Sequence, residues 1–83
     1  MVLNLELWRL AQMIKDRIKQ MLQKRKKTEY WLGKETGISK GTMWAYIEGK
    51  SIPGAINLIK IADALDCSID YLVGRTDNPE VNR

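Results

Sequence analysis

The stretch from Thr28 to Lys50 constrains this chain most, because its caps, glycines and apolar anchors fall at intervals that suit two short helices across a tight turn. Thr28 is a good N-cap, with a hydroxyl that can accept from an otherwise unpaired first-turn amide, and Glu29 follows where negative charge complements the helix dipole. Gly37 then offers the left-handed backbone that ends a helix over Glu29–Thr36. Ser39 caps a second helix, roughly Lys40–Glu48, and Gly49 terminates it. Leu32 is apolar toward a core, and Gly33 is small where the two helices must touch. Ile38 anchors the turn, and Met43 and Tyr46 repeat at three-residue spacing as inward anchors of the second helix.

The flanking sequence is helical too. Leu3, Leu7, Leu10, Ile14, Ile18, Met21 and Leu22 recur at spacings of three and four, which predicts one long helix capped by Asn4 and ending in the Lys24–Lys27 run. Leu5 and Trp8 lie off that stripe, so the first turns carry apolar surface on more than one side. Pro53-Gly54 introduces a fourth helix, Ala55–Leu65, and Ser68 caps a short fifth, Ile69–Val73, stopped by Gly74. The polar segment from Arg75 to Arg83 has nothing to bury and is expected to be mobile. No segment alternates like a strand, so the fold class is all-α with five helices.

At 83 residues the chain holds one small domain. Cys67 is the single cysteine and histidine is absent, which leaves no internal disulfide and no Cys/His set for zinc. Cys67 reads as a small core residue in a reducing, cytoplasmic setting. No apolar run reaches membrane-spanning length, and Glu6 and Arg9 interrupt any signal-like core. No nucleophile–base pair, metal cluster or glycine-rich phosphate loop occurs, so neither an enzyme nor a cofactor is expected. The net charge of +4 is uneven. Lys15, Arg17, Lys19, Lys24, Arg25, Lys26 and Lys27 face only Asp16 within residues 15–27, a balance of +6, whereas residues 51–83 sum to −2. Clustering of this kind suits a polyanionic partner.

Two blocks of text, TEYWLGKETGISKGTMWAYIEGKSIP and LIKIADALDCSIDYLVGRTDNP, resemble the lambda-repressor-like (Cro/cI, XRE-type) helix-turn-helix DNA-binding domains. The resemblance covers roughly Ile14–Asn78. It implies a compact five-helix lambda-repressor-like domain over residues 13–74, preceded by a helical extension over residues 1–12 and followed by a tail over residues 75–83. It implies further that Lys40–Glu48 is a recognition helix lying in the major groove of double-stranded DNA.

On that reading Lys40, Gly41, Thr42, Trp44 and Ala45 face the bases, and Lys27, Thr28, Ser39 and Lys50 face phosphates. Trp44 departs from the polar residue common in relatives, and Glu29 from the glutamine that often follows the helix-two cap. Nucleoid-associated repression of prophage type is implied, by a homodimer on an operator. The apolar excess at Leu3, Leu5, Leu7, Trp8 and Leu10 is assigned to dimerisation. The rival expectation is a protein partner, as in an antirepressor or antitoxin-like module, because Trp44, Trp31, Tyr30 and Glu29 crowd the same face.

Overall fold

The computed structural model describes residues 2–81, with side chains from Leu5 onward. Helix α1 spans Val2–Arg25, α2 Glu29–Thr36, α3 Lys40–Ile47, α4 Ala55–Leu65 and α5 Ile69–Leu72, and no strand occurs among the described residues. The boundaries expected for α2 to α5 therefore hold within a residue, because they are set by caps that act locally, whereas α1 begins at Val2, which puts Asn4 inside the helix and not at its cap. Trp31 N–H donates to Thr28 Oγ1 at 3.1 Å, Thr42 N–H to Ser39 Oγ at 3.3 Å, and Tyr71 N–H to Ser68 Oγ at 3.0 Å. Gly37, at φ 72°, closes α2 with its N–H on Gly33 O.

The other helix ends show one closure on different residues. At the end of α3, Gly49 N–H reaches Tyr46 O and Lys50 N–H reaches Ala45 O, a Schellman pair that puts the glycine at φ 72°. The ends of α1 and α4 make the same pair of bonds around Lys26 (φ 57°) and Asp66 (φ 53°), without a glycine. Gly49 also meets a tertiary demand. Gln12 Nε2 donates to Gly49 O at 2.9 Å, and a Cβ on Gly49 would come within 2.6 Å of that amide.

The core is one cluster contributed by all five helices. Ile14, Ile18, Met21 and Leu22 of α1 meet Leu32 of α2, Met43, Tyr46 and Ile47 of α3, Ile61, Ala62 and Leu65 of α4, and Tyr71 and Leu72 of α5. Thr36 is buried among them, and its hydroxyl donates back to Leu32 O at 2.8 Å, which satisfies the one polar group that the helix carries inward. Leu10 packs against the core and Ala11 is buried, whereas Leu5, Leu7 and Trp8 remain exposed. The apolar stripe of α1 is thus core only from its third turn onward. Leu10, Ala11 and Gln12 belong to the packed body, so the extension ends earlier than residue 12. Leu3 lies outside the described side chains.

Two sequence expectations change. The segment after α5 is not without partners. Arg17 Nη1 donates to Thr76 O at 3.0 Å and Nη2 to Asp77 Oδ1 at 2.9 Å, and Ser68 N–H donates to Pro79 O at 2.9 Å. The guanidinium also stacks 4.3 Å from the Tyr71 ring centroid, and Tyr71 Oη donates to Gln20 Oε1. The chain returns past α1 because one arginine supplies a fork of donors and a cationic face. The +6 segment is correspondingly weaker as an outward field: Arg17 is turned inward, Lys15 pairs with Asp16 at 3.3 Å, and Arg25 pairs with Asp66 at 3.6 Å. Lys19, Lys24, Lys26 and Lys27 stay exposed.

Cys67 sits in the core at 3 % exposure, and burial pushes its thiol up from 9.0 to about 11, with Arg25 lowering it and Asp66 raising it by lesser amounts. The folded thiol therefore holds its proton more tightly than the unfolded one. That preference favours folding fully below about pH 9 and is lost as pH climbs toward 11. The urea midpoint is expected to fall across that window more steeply in the natural chain than in Cys67→Ala. Parallel pH profiles for the two proteins would show this assignment to be wrong.

Candidate nucleic-acid interface

Helix α3 buries Met43, Tyr46 and Ile47, and Tyr46 Oη accepts from Asn57 Nδ2 at 2.9 Å, which fixes the rotation of α3 against α4. That rotation leaves Lys40, Gly41, Thr42 and Trp44 exposed and Ala45 half-buried. Four of the five residues expected to face the bases thus lie on open surface, and the fifth is half-buried. Glu48, one turn beyond Trp44, is exposed as well and adds a carboxylate to this face that is not among the expected base-facing residues. Its i, i+4 relation to Trp44 was the available signal.

The expected phosphate contacts divide by what each group already does. Lys27 and Lys50 are exposed, with ammonium groups 5.1 Å from the Trp31 ring and 5.7 Å from the Trp44 ring. Such pairs restrain a flexible lysine without neutralising it. Thr28 accepts from Trp31 N–H, which leaves its own hydroxyl hydrogen to donate. Ser39 is different. It accepts from Thr42 N–H and donates to Thr42 Oγ1 at 2.9 Å, so its one donor is already engaged within the cap.

The two aromatics of α2 separate cleanly. Trp31 is half-buried, packs against the core and borders Lys24, Lys27 and Ala64, which makes it a brace between α1 and α4. Tyr30 is 73 % exposed. With Lys34, whose ammonium lies 5.4 Å from its ring, Tyr30 lines one side of a groove of about 450 Å³ between α2 and α3. Lys40 and Trp44 line the other side, Gly33, Ile38 and Met43 form the floor, and Glu29 stands at the α2 rim. Tyr30 is expected on this face only as part of a protein-binding surface, and Lys34 is not expected there at all. Their i, i+4 spacing marks one face of α2, but only the packing of α2 on α3 turns that face into a groove wall.

Residues 18–72, more than half of the chain, match the family described as Helix-turn-helix. Over 62 residues the chain is 42% identical to the cryptic phage CTXphi transcriptional repressor RstR of Vibrio cholerae serotype O1. That stretch covers 75% of this chain and 55% of the relative, so the chain spans about half of the relative's length. No solved structure matches the chain. The five-helix body, the glycine–anchor–cap turn at Gly37–Ser39 and the matched family agree, and the chain is a member of the lambda-repressor-like (Cro/cI, XRE-type) helix-turn-helix family.

Proposed function

We propose that this chain is a sequence-specific, double-stranded-DNA-binding transcriptional regulator of prophage or mobile-element type, working as a dimer on an operator and without catalysis. The observation that carries this reading is the open face of α3, where Lys40, Gly41, Thr42 and Trp44 are exposed with Lys50 beside them. Similarity to a protein named as a phage transcriptional repressor supports it. Regulation would consist of occupying an operator in the bacterial cytoplasm. Two copies would read half-sites about 34 Å apart, one turn of the duplex. Selection of duplexes from a random pool tests the reading directly, because it returns a consensus if base edges are read. Recovery of no duplex, even at low salt, would defeat it.

Dimerisation is assigned to the start of α1, where Leu5 is 51 % and Trp8 58 % exposed, with Leu7 beside them. Leu10 contributes only its outer edge, since it also packs on the core. Because Ala11 and Gln12 belong to the body, the clean test is Leu5→Ser with Trp8→Ser, leaving Leu10–Gln12 intact. Sedimentation of this variant is expected to give a monomer with an unchanged far-UV spectrum. A dimer of undiminished strength would move the interface elsewhere. A second reading, a protein-interaction module using the same face, draws on Tyr30 and Trp44 in the α2–α3 groove. It requires that Trp44→Ala dissociate a protein complex while leaving duplex affinity intact.

A further inference from the structure

We propose that Trp44 makes this domain a reader of the thymine 5-methyl group, with the indole and the α2–α3 groove beside it seated against methyls in the major groove. This inference rests on the duplex-binding reading above and names the chemistry it recognises.

The polar inventory of the α3 face is short. Before the C-cap its exposed hydrogen-bonding side chains are Lys40, Thr42 and the single indole N–H of Trp44, and Thr42 Oγ1 already accepts from Ser39 Oγ at 2.9 Å. Gly41 carries no side chain and Ala45 only a methyl. No amide side chain is present to make the bidentate pattern that reads adenine. Most of the reachable area is instead apolar: Trp44 at 51 % exposure, running into a groove floored by Gly33, Ile38 and Met43. In the major groove, thymine alone among the four bases presents an apolar group, its C5-methyl. The apolar part of this reading surface therefore discriminates thymine, and Lys40 and Glu48 at its two ends are left for polar edges.

Charge agrees with that assignment. The groove is flanked by cations, Lys34 on α2 and Lys40 on α3, and the Lys50 ammonium lies 5.7 Å from the indole centroid. A thymine methyl lies toward its own strand's sugar–phosphate wall. An apolar strip between lysines meets the methyl and the neighbouring phosphates together. Glu29 stands at the α2 rim, so the methyl is expected under Trp44, on the α3 side.

The test uses the duplex recovered by selection, synthesised in three forms, with thymine, uracil or 5-bromouracil at every thymine position of its half-sites. Pairing and every hydrogen-bonding edge are the same in all three. Uracil is expected to weaken binding about fourfold for each methyl lost, the worth of one buried methyl-sized group. Bromine, close to a methyl in size, restores the affinity. In Trp44→Ala the thymine–uracil difference disappears, whereas in Trp44→Phe part of it survives. Light-induced crosslinking of the 5-bromouracil duplex is expected at Trp44. Equal affinity for the thymine and uracil duplexes overturns the inference, and so does a difference of the same size in Trp44→Ala. Either result leaves duplex binding standing, whereas a selection that returns no duplex removes the reading beneath it.

Discussion

Replacing Lys27, Lys40 and Lys50 together by alanine is expected to lower duplex affinity at about 0.1 M salt by roughly 500-fold. Lys40 stands at the start of α3, where its ammonium can serve a base edge or the adjoining phosphate. Each of the three lysine–phosphate contacts removed takes about 0.9 from the slope of log K against log salt. Three remove about 2.7, and extrapolation from 1 M to about 0.1 M converts that slope into the affinity loss. All three lysines are exposed, and two lie over exposed or half-buried indoles. Their removal should therefore cost the fold no more than about 1 kcal/mol. A salt series on the triple variant, paired with its urea curve, separates the two effects. An unchanged slope would show that phosphates are held by other groups. Lys34 is the next in line, because it flanks the groove without having been expected there.

The second large effect is structural. Leu32→Ala removes a side chain that is fully buried where α2 meets the core, and is expected to cost about 2–5 kcal/mol. A domain of this size has on the order of 5–15 kcal/mol in total, so this one truncation consumes a large share. The loss appears as a lower urea midpoint with an unchanged slope. Ile56→Ala is the control. At 71 % exposure it is expected to move the midpoint by no more than about 0.5 kcal/mol. If the two substitutions had similar effects, α2 would not be packed as described. The contrast matters because both residues are apolar on amphipathic helices, and hydropathy alone ranks them alike.

The helices were legible in the sequence because their signals are short-range. Thr28, Ser39 and Ser68 accept from the amide three residues on, and Gly37, Gly49 and Gly74 sit at the positive-φ closures. The lysine and aspartate that take the same conformation at Lys26 and Asp66 carry no such signal, because the Schellman bonds impose left-handed backbone on whatever residue occupies the place. The candidate interface was legible in part. Which side of α3 faces outward follows from Met43, Tyr46 and Ile47 facing inward. That Ser39 has its hydroxyl hydrogen engaged, and that Tyr30 and Lys34 wall a groove with Trp44, required the helices to be placed against each other.

The sequence by itself determined five helices, the caps at Thr28, Ser39 and Ser68, the turn at Gly37–Ser39 and the inward face of α3, since all of these depend on residues within about five positions of one another. Tertiary structure alone decided which cations remain outward. Arg17 reads as part of a basic run, yet it is bound to Thr76, 59 positions away, and stacked on Tyr71. It likewise decided that Gln12 clamps Gly49 across 37 positions, which draws the end of the supposed extension into the body. Periodicity establishes that a face is apolar or charged, but the element that covers it is chosen by packing between distant segments, and so is the share of each face left open to a partner.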